Sequence, residues 1–193
     1  MKAAGSGEPG FEVDAESWLR ELLPELPAEE AARLGPDRDI LFEALVEFVR
    51  EERPEGVEVR TEADEEGVAA DAALLLPGVR IHVRAKPEAW PTLKDAVKVA
   101  VTYAVAGGDP VAGGVALSVD LGYRIIERAT RLSTDELAIV MALLDLGRGE
   151  EGRPTSARVH AALPELEGVG ERLDELAGKE VLAGGPDGWV VNF

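Results

Sequence analysis

The apolar residues of this chain change their period partway along it, and that change restricts the fold. From Asp37 onward, Ile40, Leu41, Ala44, Leu45, Phe48 and Val49 recur at i, i+3/i+4 spacing, with Glu43, Glu47 and Glu51 between them. This spacing lines one side of an α-helix, and Pro54 and Gly56 end it. Beyond Gly56 the period becomes two. "VEVRTEAD" (57–64) and "VRIHVRAK" (79–86) alternate, and "VAADAALLL" lies between them, bounded by Gly67 and Pro77-Gly78. Short runs separated by turn residues predict a three-stranded antiparallel meander. Helices packed on a small antiparallel sheet make an α+β fold.

The flanking segments fit that frame. Residues 1–10 read as a flexible tail. Asp14 is placed to cap a short helix carrying Trp18, Leu19, Leu22 and Leu23, which Pro24 and Pro27 interrupt. A second short helix over 28–34 stops at Gly35-Pro36. A helix is predicted over 92–106. Residues 107–122 fit a strand and a helix face equally well, and 122–131 favours helix. The expected organisation is a tail (1–10), an α+β domain (11–132) and a C-terminal domain (133–193).

Composition narrows the chemistry. There is no cysteine, so disulfides, thiolate zinc sites and thiol catalysis are absent, as suits a cytoplasmic protein. The opening residues show no apolar stretch of signal-peptide length. The most apolar region, 96–121, is cut by Lys98, "GGDP" and Asp120 and falls short of the roughly 20 residues a membrane span needs. Net charge is −18. It divides into −13 over residues 1–66, +2 over 67–132 and −7 over 133–193. Phosphate neutralisation supplies much of a nucleic-acid binder's affinity, and neither acidic end offers it.

In the C-terminal part, "STDE" (Ser133 to Glu136) is a capping box before an apolar run. The helix it opens shows Leu137, Val140, Met141 and Leu144 on one side. Thr155 or Ser156 can cap a second helix, "SARVHAAL", in which His160 is expected against the core. A third helix ends near Gly178 with Val169, Leu173 and Leu176 as its apolar positions. "KEVLAGGPDGWVVNF" then reads as strand, Gly-rich turn, strand. Three helices and a hairpin, with Leu176, Val181, Leu182 and Trp189 at matching places, resemble a winged helix-turn-helix over residues 133–193. The resemblance implies a third helix that enters the DNA major groove with Arg, Lys, Asn or Ser at base edges. Here Glu165, Glu167, Glu171, Asp174 and Glu175 stand against Arg172 and Lys179, and the turn "AGGPDG" has no cation. The family's DNA role is therefore not carried over. Winged helices also serve as protein-contact and dimerisation modules.

No catalytic constellation stands out. His82 and His160 lack metal-site spacing. "GGDPVAGG" lacks both phosphate-loop spacings and carries Asp109 where an anion would sit. No catalytic residue, metal ligand or cofactor site is assigned. The alternating run 79–86 presents Arg80, His82, Arg84 and Lys86 on one side. This stripe either forms the solvent face of an edge strand or docks an acidic partner, including the chain's own acidic ends. Together with Glu171, Arg172 and Glu175 it makes up the candidate partner-binding set. The expectation is a non-enzymatic acidic adapter with a protein partner, a second copy of itself included, and without nucleic acid or membrane. Two alternatives stand beside it. One is a DNA-binding regulator using Arg148, Arg153, Arg158 and Arg172. The other is a small enzyme with a cleft and a buried titratable group in the α+β domain.

Overall fold

The computed structural model describes residues 11–61, 81–106, 117–148 and 152–193. Among them the order is β1 (Phe11–Asp14), α1 (Trp18–Leu22), α2 (Ala28–Leu34), α3 (Asp37–Glu52), β2 (Val57–Thr61), β3 (Ile81–Ala85), α4 (Trp90–Val105), α5 (Val119–Thr130), α6 (Thr134–Gly147), α7 (Ser156–Ala162), α8 (Val169–Gly178), β4 (Leu182–Gly185) and β5 (Gly188–Val191). The class is α+β.

The first sheet is antiparallel with strand order β1-β3-β2. Its β1 comes from residues next to the expected tail. The expected middle run, 68–76, lies outside the described residues. Strand β3 is central and not an edge, because β1 and β2 pair with it on either side. Cross-strand partners share a face. Val13, Val83 and Val59 form one row, and Ile81 and Thr61 another, on the inner face. Glu12, Arg84 and Glu58 form an outer row, followed by Asp14, His82 and Arg60. Asp14 closes β1, and its Oδ1 accepts from the N–H groups of Glu16 (2.9 Å) and Ser17 (2.8 Å). The Ser17 backbone bond leads in holding the Asp14 carboxyl below its ordinary value. The helix itself begins at Trp18, with Ser17 at its N-cap.

Helices α3, α4 and α5 form the main layer. The stripe Leu121, Gly122, Ile125, Ile126 and Ala129 of α5 is buried. Where α5 crosses α3, a Cβ on Gly122 would lie 2.8 Å from the Ala44 Cβ. Glycine thus sets how close these helices approach. Ser118 caps α5 by accepting from the Leu121 N–H (3.2 Å). Of the ambiguous stretch 107–122, residues 107–116 lie outside the described residues, and helix begins at Val119.

Helix α6 departs from its expected face. Ile139, Val140, Leu143 and Leu144 are buried, while Leu137 and Met141 are only half-buried. The cause is that α6 packs against α4 on one side and against α7, α8 and β5 on others. A helix with neighbours on several sides need not keep one apolar stripe. The Ser133–Glu136 capping box forms in full. The buried side chains make one cluster with members on both sides of Ser133. Tyr103 of α4 meets Phe193 edge-on at 5.7 Å. Arg148, just past α6, donates to Glu30 Oε1 of α2 (2.9 Å) and to the Thr102 carbonyl of α4 (3.4 Å).

Candidate interaction surfaces

Helices α6, α7 and α8 and the β4–β5 hairpin follow one another in the expected order. On α8, Val169, Leu173 and Leu176 are buried, as their spacing requires. The helix ends at Gly178, and two residues on, Glu180 takes a left-handed φ of 60°. The Val181 N–H then donates to the Leu176 carbonyl (3.0 Å) and the Asn192 N–H to the Val181 carbonyl (2.8 Å), so the returning strand is tied to the helix end. Arg128 of α5 donates to the carbonyls of Glu180 (3.2 Å) and Asn192 (3.0 Å) from the other side. At the hairpin tip Gly184 has φ 108°, and a Cβ there would sit 2.2 Å from the Gly188 carbonyl oxygen. Only glycine fits.

Both cations of α8 and its C-cap are committed inward. Arg172 Nη2 lies 2.7 Å from Asp135 Oδ2 in the first turn of α6. Lys179 Nζ donates to Glu136 Oε1. Glu136 is buried, and burial works to raise its pKa. Lys179 and the Ser133 donors outweigh that and hold the carboxyl below its ordinary value. Glu165, Glu167, Glu171, Asp174 and Glu175 remain exposed. The outer surface of α8 and the loop before it therefore presents carboxylates. Sequence reading missed Asp135 and Glu136 as the partners of these cations, since nothing local in "STDE" points to a residue some forty positions on.

The β3 stripe is met in a similar way. Arg84 Nη2 reaches Glu12 Oε2 at 2.9 Å, and His82 Nδ1 stands 3.2 Å from Glu12 Oε1. The chain's own acidic N-terminal strand thus supplies a counter-charge. Lys86 is exposed, and its N–H donates to the Gly56 carbonyl (2.7 Å). Arg80 lies outside the described residues. The rest of the stripe lies on β3 and the residue after it, whereas Glu171, Arg172 and Glu175 lie on α8.

Of the four arginines in the DNA-binding alternative, Arg172 is held by Asp135 and Arg148 by Glu30. Arg158 is half-buried, and Arg153 is exposed. His160 is exposed and not packed in the core as expected, because Val159 takes the one fully buried place on α7. Among the described residues no group of three or more His, Asp or Glu side chains could hold a metal. No helix among them is long and apolar enough to cross a membrane.

A cleft of about 420 Å³ opens between α4, α5 and the hairpin. Arg124 and Arg153 stand at it, with Ser118, Leu121, Val190 and Phe193 among its walls. Among the described residues, no Asp, Glu or His side chain lines it. Glu136, buried in the C-terminal part, is not among the described residues that line it.

Comparison of the chain with known protein families, with curated proteins and with solved structures finds no match.

Proposed function

We propose that the protein is a non-enzymatic adapter whose C-terminal residues, 133–193, form a winged-helix module used for protein contact. One observation carries this reading. The helix that would read DNA has its cations in ion pairs with Asp135 and Glu136 and turns Glu171, Asp174 and Glu175 outward. Carboxylates against phosphates repel, and nonspecific DNA affinity comes almost wholly from cations. The same surface suits a protein that brings lysine or arginine.

A salt-dependent gel shift tests the reading against DNA. On random duplex DNA at ~50 mM salt, wild-type chain at ~10 μM is expected to give no shift, although a basic winged helix would shift under those conditions. A shift that weakens steeply with salt would overturn the proposal. Cross-linking in the cells the protein comes from, with Glu171→Lys/Glu175→Lys as the variant, gives the complementary readout. The partner captured by the wild type should be lost in the variant.

A further inference from the structure

We propose that the cleft between α4, α5 and the hairpin binds a small organic anion, with one acidic group on a compact apolar body. The volume, about 420 Å³, falls in the range of small-ligand sites, roughly 300–1,000 Å³. On a chain with net charge −18, two arginines line one cleft, and neither Arg124 nor Arg153 has an ion-pair partner among the described residues. Guanidinium offers paired N–H donors that match a carboxylate or sulfonate. Leu121, Val190 and Phe193 supply apolar wall for the remainder of the ligand.

Both arginines are carried on fixed backbone. Arg124 rides on α5 between the buried Leu121 and Ile125. The Arg153 segment is stitched to the hairpin. The Trp189 N–H donates to the Pro154 carbonyl (2.9 Å), and the Ser156 N–H to the Pro186 carbonyl (3.1 Å). The Trp189 indole N–H donates to Ser156 Oγ (2.8 Å). The stem of Arg153 crosses Gly188, where a Cβ would come within 2.9 Å of the Arg153 Cβ. Donors held in place before binding cost less to order on binding. The Ser118 hydroxyl accepts from the Leu121 N–H, and its own proton can still be given to an anion. A polyacidic peptide is a poorer occupant, because the field of this chain repels every charge beyond those two arginines.

The probe is 8-anilinonaphthalene-1-sulfonate, a monoanion with an apolar aromatic body, whose emission rises on leaving water. Full-length wild type is expected to bind it saturably. Phenylacetate is expected to displace it, and benzyl alcohol, with the same ring but no charge, is not. Arg124→Gln/Arg153→Gln should weaken the probe by roughly tenfold or more, from the loss of two charge-assisted contacts. Arg20→Gln, on α1, should leave binding unchanged. Phenylacetate titrated into ¹⁵N-labelled wild type should move the amides of Val190 and Asn192, a readout that needs no variant. Three results would each overturn the proposal: undiminished probe binding by the double variant, equal displacement by benzyl alcohol, or amide shifts confined to other parts of the chain. Displacement by hexaglutamate in preference to phenylacetate would overturn it as well and mark the cleft as a peptide surface.

Discussion

Glu136→Gln isolates the charge that joins α6 to the end of α8. The wild-type side chain is 5% exposed, and its Oε2 accepts from the Ser133 N–H (2.9 Å) and hydroxyl (3.1 Å). Its Oε1 accepts from Lys179, whose side chain is 49% exposed. Glutamine keeps the shape and one acceptor oxygen, but it turns an NH₂ toward a donor. Hydrogen bonds to a charged group contribute about 1.5–3 kcal/mol each. The Lys179 share is smaller, since an exposed ammonium can return to water and exposed pairs are worth ~0–1 kcal/mol. The expected loss at pH 7 is about 2 kcal/mol, or roughly 4–8 °C in Tm for a chain of this length. The pH dependence carries the sign. Burial alone would raise the Glu136 pKa from its ordinary 4.5, but Lys179 and Ser133 hold it lower. A depressed carboxyl adds stability above its unfolded pKa and loses it as pH falls through the folded value. The gap between wild type and variant should therefore be full at pH 7, hold down to about 4.5, and close below that, where both side chains are neutral. Urea melts across this range, read for midpoint and slope together, measure it. A gap under about 0.5 kcal/mol at pH 7, within the range of an ordinary surface substitution, would refute the reasoning. So would a gap that persists unchanged into acid.

Two backbone substitutions test the packing that positions the surfaces. Gly122→Ala gains helix propensity of about 1 kcal/mol, yet its methyl would press on Ala44 at 2.8 Å. A net loss of about 1–2 kcal/mol is expected from overpacking, and a rise in Tm would show that α3 and α5 can separate without cost. Gly184→Ala at φ 108° meets the Gly188 carbonyl oxygen at 2.2 Å. It should cost about 2 kcal/mol or more and speed amide exchange in β4 and β5, whereas wild-type exchange there would show that the hairpin tip is not held as described.

The parts of the fold that were readable in the sequence are those made by near neighbours. The i, i+4 run of α3, the Ser133–Glu136 box and the Gly-rich hairpin are each specified within a few residues. Strand β1 was not readable: "FEVD" is four residues long, and it is a strand because β3 pairs with it. Glu12 and Arg84 stand 72 positions apart, and Lys179 and Glu136 stand 43 apart. No local pattern shows such pairs, so the stripe on β3 read as an edge when it is a central strand with its own counter-charge. The α6 stripe was misplaced for a related reason. A helix touched on several sides buries residues that a one-sided pattern leaves out.

Those distant pairs also bear on which partner suits α8. A twofold contact uses the same patch on both copies. Through α8 it would set Glu171, Asp174 and Glu175 against a second set of carboxylates, with no α8 cation free to relieve them, since Arg172 already holds Asp135 and Lys179 holds Glu136. Like charges brought face to face cost several kcal/mol and slow encounter at low salt. A homodimer, were one formed, would have to use other faces of the chain. A cationic partner meets the opposite situation: the −18 field draws it in, and the inward ion pairs keep the α8 carboxylates available to it. On the proposed reading, the surface that disfavours DNA also disfavours self-pairing through α8, and a basic protein is the occupant that would suit that face best.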